Sequence, residues 1–153
     1  MRDGYILLAY DPRNNPMHYY ELNKRFFYLP GGHIEFQESA EKAAVREIME
    51  ETGYKAKIVR FLGTIENAWS FSGDEICCHT HEIQLVFQAD IPGITPNMKF
   101  PQKEAHVAFE WVAVDKLCDV DIRPSIMKNR IAQWLNSAPN PNTLISSFDC
   151  SRP

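Results

Sequence analysis

The sequence contains little of what marks several classes of protein. It has 4 cysteines in 153 residues, at positions 77, 78, 118 and 150, and their spacing matches no disulfide framework. Reduced thiols in a cytoplasm are the simplest account of such a pattern. No stretch approaches the ~18 consecutive apolar residues that a membrane span requires, and the segment after Met1 does not resemble a signal peptide. These absences predict a cytoplasmic protein without a membrane partner.

Positive charge is also scarce. The chain carries 16 Lys and Arg against 20 Asp and Glu, a formal net charge of −4, which argues against general nucleic-acid binding. An anionic substrate would therefore need metal ions and a few local cations in order to approach. The chain has no Gly-x-Ser-x-Gly elbow and no Gly-rich loop ending in Gly-Lys-Ser/Thr, so neither a serine nucleophile nor a P-loop is supported.

What the chain does contain is a Gly-Gly turn followed by an acidic helix, in the stretch GGHIEFQESAEKAAVREIMEETGY (Gly31–Tyr54). Ser39–Thr52 has no Gly or Pro and is rich in good helix formers. Ser39 is suited to cap the start, and Gly53 suits the left-handed position just past the end. The sequence predicts a helix between these two residues.

The predicted helix has two distinct faces. At 100° per residue, Glu47, Glu50 and Glu51 fall within about 100° of one another. An apolar set, Val45, Ile48 and Met49, falls on a different face, which we expect to be buried. Two unit charges ~4 Å apart repel by roughly 1 kcal/mol in water, and a divalent cation converts this repulsion into attraction. Hard carboxylate ligands suit Mg²⁺ or Mn²⁺, whereas the alternative is a solvated acidic face.

The run from Gly32 through Glu38 to Arg46–Gly53 resembles the signature box of the Nudix (MutT-like) hydrolases. Every fixed Gly, Glu and Arg of that box stands at its expected spacing. The one departure is Tyr54, where the family usually has an aliphatic residue. The resemblance implies an α/β fold, a Nudix-type α/β/α sandwich with a mixed β-sheet between the box helix and a C-terminal helix.

The resemblance also implies an activity: water attack on phosphorus in a nucleoside diphosphate linked to another group, with Mg²⁺ or Mn²⁺ as cofactor. The partner would be a small-molecule nucleotide, and a homodimer is compatible with the family. Arg46 would orient the glutamates. The implied metal ligands are Gly31 (through its carbonyl), Glu38 (as a supporting contact), Glu47, Glu50 and Glu51. The alternative is a nucleotide-binding sensor without catalysis, although such domains usually lose box carboxylates and all are kept here.

The sequence offers several candidates for the general base. Glu104 lies in the loop Pro101–His106, where some Nudix enzymes place a base or an extra metal ligand. Glu82, Glu66 or a box carboxylate such as Glu50 are alternatives. The catalytic candidates are therefore Arg46, Glu50 and Glu104. Nearby cations and aromatic or histidine side chains are candidate substrate contacts: Arg13, Arg25, Trp69, Phe71 and His81.

The substrate is left open by the sequence. Leu62–Glu75 lacks the proline or tyrosine that family resemblance associates with ADP-ribose and dinucleoside polyphosphates, and the upstream pattern of the coenzyme A hydrolases is absent. A nucleoside triphosphate or a nucleotide-sugar remains. The segment Cys77–His81 also invites a zinc reading, but adjacent side chains on a strand face opposite ways. We expect its odd positions to continue as a core face through Ile83, Leu85 and Phe87.

The remaining elements follow from hydrophobic patterning and turn residues. We expect a domain over residues 1–136 and a loosely structured tail over 137–153. Nudix proteins normally have a strand before the Asp3-Gly4 turn, and the numbered sequence begins too late to contain it. Either native residues precede the numbered sequence, which we favour, or the sheet lacks this strand. The predicted strands are Tyr5–Tyr10, a hairpin of His18–Glu21 with Phe26–Leu29, Lys55–Phe71, Ile76–Asp90 after a turn at Ser72–Glu75, and Phe109–Val114, followed by a helix from Pro124 to about Leu135.

Overall fold

A computed structural model of the chain describes residues 3–12, 25–68, 81–138 and 144–146. Within these ranges five strands and two α-helices follow one another, with a short 3-10 helix at Val114–Asp119. Their bounds in chain order are β1 (Tyr5–Tyr10), α1 (Ala40–Thr52), β2 (Lys57–Ala68), β3 (His81–Asp90), β4 (Ala108–Ala113), α2 (Met127–Asn136) and β5 (Leu144–Ser146).

The strands form two sheets. β1 pairs antiparallel with β4, from Tyr5 opposite Ala113 to Tyr10 opposite Ala108. β2 lies at the centre of a three-stranded sheet, antiparallel to β3 and parallel to β5, so this second sheet is mixed. The predicted strands that correspond to β1, β2, β3 and β4 are confirmed where they are described. The predicted strand Phe26–Leu29 is wrong, because this segment forms only isolated bridges at Phe27 and Tyr28. Strand β5 was not predicted, because residues 137–153 were expected to form a loosely structured tail.

Helix α1 has the expected ends. The Ser39 hydroxyl accepts a hydrogen bond from the backbone N–H of Lys42 at 3.4 Å. Gly53 adopts the left-handed conformation with φ of 80°, and its N–H donates to the Met49 carbonyl at 2.9 Å. A glycine tolerates this φ without the steric cost that a side chain would add, so the helix stops where the sequence predicts.

The core lies between the two sheets, the 3-10 helix and α2. Its buried residues are Ile6, Leu8, Phe27, Leu62, Ile65, Val86, Val112, Leu117, Ile122, Met127, Ile131 and Trp134. Helix α2 supplies the last three, so one face of this predicted helix packs on the core. Its first residue is Met127, and Pro124 precedes the helix, which is shorter at this end than the sequence indicates.

Arg60 in β2 connects the central sheet to the end of α2. Its Nη2 donates to the carbonyls of Trp134 and Leu135 at 3.0 and 3.2 Å, and its Nη1 donates to the carbonyl of Ser137 at 2.9 Å. Its Nε donates to Gln88 Oε1 in β3 at 2.7 Å. The guanidinium therefore satisfies carbonyls that every helix leaves without an internal partner in its last turn.

Two predictions about faces are wrong. In α1, Met49 is 46% exposed, whereas Glu51 and Thr52 are buried, so the glutamate side of the helix faces inward more than the apolar side. In β3, Ile83 and Leu85 are 65% and 42% exposed, and Val86 is buried. Apolar periodicity identifies two faces of an element, but the face that packs is decided by what the neighbouring elements cover.

Several predicted features lie outside the described residues. They are the strand His18–Glu21, the turn Ser72–Glu75 and most of the segment that raised the zinc reading, Cys77–Thr80. Phe27 and Tyr28 are described, and each forms an isolated bridge, to Ile122 and to Ala9 respectively. These bridges deliver the chain into the Gly-Gly turn.

Candidate active site

The Gly-Gly turn lies against the middle of helix α1. A Cβ atom placed on Gly32 would come within 2.3 Å of the Glu47 carboxyl carbon, a distance that real Cβ contacts do not reach. With any other residue at position 32, the Glu47 carboxylate would have to move from where it packs over the turn. This contact explains why the Nudix-like box has a glycine at position 32, well before the acidic residues of the helix in sequence.

Arg46 gathers the carboxylates around it. Its Nε and Nη2 donate to Glu38 at 3.0 to 3.3 Å, and its Nη1 donates to Glu47 at 2.9 Å and to Glu50 at 3.0 Å. Nη2 also donates to the His33 carbonyl at 2.9 Å. The hydrogen bond from Arg46 lowers the pKa of the Glu38 carboxyl. The planar guanidinium can hold several acceptors at fixed directions, as expected of an orienting residue.

Glu51 is in a different environment. It is 7% exposed, and its Oε2 is buried with no hydrogen-bond partner among the described residues. Burial raises its pKa to about 8, and the charges of Glu47, Glu104 and Glu50 act in the same direction. A backbone hydrogen bond from Gly31 to the same carboxyl group acts in the opposite direction. The site therefore concentrates negative charge around one poorly solvated oxygen.

Glu104 comes close enough to this cluster for its charge to act on Glu51. Its carboxylate pairs with His106 Nε2 at 3.2 Å, and both side chains are about half exposed. The neighbouring Lys103 lies over the C-terminal end of α1, where a Cβ on Gly53 would come within 2.8 Å of the Lys103 Cε. The structure thus brings the loop that holds the candidate base to the end of the box helix.

The other candidates are less directly placed. Arg13, Trp69 and Phe71 lie outside the described residues. Arg25 forms an ion pair with Glu110 and lies 4.1 Å from the centroid of the Tyr10 ring, so a substrate phosphate would have to compete for it. His81 Nε2 is 3.1 Å from Glu66 Oε1. The roles proposed for these residues remain predictions.

Glu82, the alternative base in β3, is half-buried and accepts a hydrogen bond from Gln84 in the same strand. Glu82 and Gln84 share the less exposed side of β3 with the buried Val86. The side that was predicted to face the core, with Ile83 and Leu85, is the more exposed one.

The donor set fits a divalent cation. Within the described ranges no group of three or more His, Cys, Asp and Glu side chains stands together in metal-binding positions. Glu47 and Glu50 instead share Arg46 Nη1, and Glu51 keeps a buried oxygen without a hydrogen-bond partner in the described part of the chain. Hard carboxylate oxygens crowded on one helix, with one of them poorly satisfied, are the ligands that Mg²⁺ and Mn²⁺ prefer. The assignment of individual ligands remains a prediction.

Sequence reasoning missed the contacts at the far end of the box. Tyr54 meets Phe100 edge to face with ring centroids 5.9 Å apart, and Phe100 packs on Phe109 and Trp111 at 5.4 and 6.3 Å. We call Tyr54, Phe100, Phe109 and Trp111 the aromatic cluster. The signal available was the departure at Tyr54 itself, because an aromatic residue where an aliphatic one is usual needs a larger partner.

The fold, the Gly-Gly turn and the carboxylate helix define a class of protein, and comparison with known families agrees. The family model for the NUDIX domain matches residues 2–135. The chain therefore belongs to the NUDIX family, as the sequence motif implied.

Curated relatives share only part of their length with this chain. An ADP-ribose pyrophosphatase of Methanocaldococcus jannaschii is 38% identical over 92 residues, which is 60% of this chain and 47% of the relative. The NAD-capped RNA hydrolase NudC of Haemophilus influenzae is 25% identical over 130 residues, covering 74% of this chain and 47% of the relative. The chain thus spans about half the length of these two proteins.

Among solved structures, a NUDIX hydrolase from Nitrosomonas europaea superimposes with a TM-score of 0.63 at 20% identity, covering 92% of this chain and 86% of that one. This likeness shows the fold and confirms the predicted fold class. Among the described residues, neither helix has the length and apolar character needed to cross a membrane.

Proposed function

We propose that this chain is a divalent-cation-dependent hydrolase that splits a phosphoanhydride bond in a nucleoside diphosphate linked to another group. The observation that carries the proposal is the buried Oε2 of Glu51, which has no hydrogen-bond partner in the described residues, on the same helix as Glu47 and Glu50. Ionising this buried carboxyl is costly unless a cation neutralises its charge. Family membership supports the same activity.

Each residue has a role in this proposal. Glu47, Glu50 and Glu51, with the Gly31 carbonyl, would hold Mg²⁺ or Mn²⁺, and Glu38 would support them through Arg46. The cation, when bound, would supply positive charge that neutralises the diphosphate oxygens and lowers the pKa of a water molecule. Arg46 keeps Glu38, Glu47 and Glu50 oriented through its hydrogen bonds.

We assign the proton transfer to Glu104. The oxygen of water forms a bond to phosphorus as the bridging P–O bond breaks, and the Glu104 carboxylate takes the proton of that water. The bond electrons leave with the departing phosphate group. The contact between the Glu104 carboxylate and His106 Nε2, at 3.2 Å, supports a defined position for this carboxylate.

The substrate is proposed at the level of its class. The names of the two curated relatives point to a diphosphate that joins a nucleoside to a second group, as in ADP-ribose or an NAD cap. The absence of the family's usual proline or tyrosine in Leu62–Glu75 weighs against a dedicated ADP-ribose site. We therefore place nucleotide-sugars and related diphosphates ahead of nucleoside triphosphates. A cytoplasmic location and a homodimer remain predictions.

The test is a panel of ADP-ribose, a UDP-sugar, NAD and a deoxynucleoside triphosphate, each with Mg²⁺, with EDTA and with phosphorus-31 detection of products. We expect Mg²⁺-dependent cleavage of at least one diphosphate. Binding of a nucleotide without cleavage would favour the sensor alternative. Independently of turnover, Mg²⁺ should raise the Tm at pH 8. At a concentration of 100 times its Kd, it should increase the free energy of unfolding by about 2.7 kcal/mol.

A further inference from the structure

We propose that Tyr54, the residue at which this chain departs from its family's box, is a positioning residue that fixes the Glu104 loop to the end of helix α1 through Phe100. The inference rests on the proposed function, in which Glu104 accepts the proton of water. It assigns a catalytic consequence to a packing contact, because the loop holding Glu104 is joined to the box helix by the aromatic cluster.

The first step is that the backbone of Tyr54 is held tightly to the helix. Thr52 is fully buried, and its hydroxyl donates to the Ile48 carbonyl at 2.5 Å and accepts the backbone N–H of Tyr54 at 3.1 Å. Gly53 turns the chain in the left-handed conformation between them. Tyr54 therefore leaves the helix in a fixed direction, immediately after the acidic turn.

The second step is the ring contact. The rings of Tyr54 and Phe100 are 5.9 Å apart and nearly perpendicular, at 89°, which is a preferred arrangement for aromatic pairs. Phe100 in turn packs against Phe109 and Trp111 of β4, so it is held between the box helix and a strand. A leucine at position 54 lacks the ring edge that meets Phe100.

The third step places Glu104 between two anchors. Phe100 holds one side of the loop, and Val107, which is 4% exposed, holds the other. The Val107 N–H donates to the Glu104 carbonyl at 3.3 Å, and Gln102 Nε2 donates to the Ala105 carbonyl at 3.2 Å, which closes the turn. Loss of the Phe100 anchor should thus move Glu104 while the rest of the site stays in place.

The experiment compares Tyr54→Leu, the kind of residue usual in the family, with Tyr54→Phe, which keeps the ring. We expect Tyr54→Leu to lower kcat at least about tenfold with KM changed less than about twofold, since a small misplacement of a catalytic group is costly. Tyr54→Phe should keep the wild-type kcat. As a matched control, Phe87→Leu removes a ring from the Phe61–Phe87 pair, at 5.3 Å in β2 and β3, and should leave kcat unchanged.

A double mutant separates positioning from general damage. Glu104→Gln alone should lower kcat by roughly 10²–10⁴-fold. If Tyr54 acts through Glu104, adding Tyr54→Leu to that background should cost less than about twofold more. The proposal would be overturned if the loss of kcat in the double mutant equalled the product of the two single-mutant losses. It would also be overturned if Tyr54→Leu had the wild-type kcat.

Hydrogen exchange provides a readout that does not depend on turnover. In Tyr54→Leu, amides of residues 102–107 should exchange faster, while those of β2 and β3 keep their rates. Unchanged exchange in the loop would overturn the inference. If the wild type cleaves no substrate, the proposed function fails, yet the exchange rates still decide whether Tyr54 holds the loop. If the wild type is active and Glu104→Gln is equally active, hydrolysis stands and the role of Tyr54 falls.

Discussion

Glu50 and Glu51 are adjacent on one helix, yet their surroundings differ sharply. The Glu50 side chain is 53% exposed and accepts a hydrogen bond from Arg46. Glu51 is 7% exposed, has an oxygen with no hydrogen-bond partner in the described part of the chain, and has a pKa raised to about 8 by burial. One carboxylate is therefore stabilised by the protein itself, whereas the other is costly to ionise in the absence of a cation.

The comparison shows that residues equivalent in a motif need not be equivalent in energy. A surface ion pair such as that of Glu50 contributes little to stability, because water screens it. A buried carboxyl is costly until something neutralises it. The cost at Glu51 is consistent with selection for binding a cation rather than for stability, and separate measurements of activity and stability can test this.

The largest expected effect is on turnover. Replacing either Glu50 or Glu51 with Gln should lower kcat by orders of magnitude, because each would hold the cation that activates water. The two residues should thus be alike in activity even though they differ in environment. Initial rates on a verified substrate at saturating Mg²⁺ provide the measurement. Near-normal turnover by either variant would remove that residue from the site.

The second effect concerns pH and Glu51 alone. Its folded-state pKa of about 8 lies above its usual value of 4.5, so the native state keeps the proton longer than the unfolded chain does. Stability should fall as pH rises above 4.5, and the loss should be complete above about 8. In EDTA, thermal unfolding from pH 5 to 9 should show a falling Tm for the wild type. Glu51→Gln should lack this component, and parallel curves for the two proteins would contradict the prediction.

The third effect concerns Arg46, which donates hydrogen bonds to three carboxylates. Arg46→Lys keeps the charge but loses the fork that reaches Glu38, Glu47 and Glu50 together. We expect activity or Mg²⁺ affinity to fall by about 10–100-fold, as when a supporting partner of metal ligands is lost. Titration of activity with Mg²⁺ separates the two. Wild-type values for both would show that orientation by Arg46 is dispensable.

The smallest effect returns to Glu50. Because its side chain is exposed and its ion pair is screened, Glu50→Gln should change the free energy of unfolding in EDTA by less than about 0.5 kcal/mol. Urea unfolding at pH 8 measures this, with Glu51→Gln, which should be more stable than the wild type, as the contrast. Equal stability changes in both variants would erase the difference between the two residues.

The boundaries of the box helix could be predicted because they depend on local chemistry. The Ser39 cap, the Gly53 stop and the helix formers between them act within one or two turns of chain. The buried face could not be predicted in the same way. Val45, Ile48 and Met49 form the apolar face, but the Gly-Gly turn packs on Glu47, and Glu51 is buried while Met49 is 46% exposed.

The site was predicted in part. The acidic residues and Glu104 came from the motif and from loop position, and the charge of Glu104 does act on Glu51. The aromatic cluster and Lys103 depend on contacts between residues about fifty positions apart, for which a single sequence gives no direct signal. The same limit hid β5, whose three residues pair with a strand some eighty positions earlier.

The contact between Arg60 and α2 has a consequence for how the protein unfolds. Arg60 in the central strand donates to carbonyls 74, 75 and 77 positions further along, so fraying of α2 at its C-terminal end would expose the guanidinium and its acceptors together. Local opening is cheapest where few such links exist. The end of α2 should therefore open with the sheet as one cooperative unit. Under a pulling force applied at the two termini, it should resist until β2 itself yields.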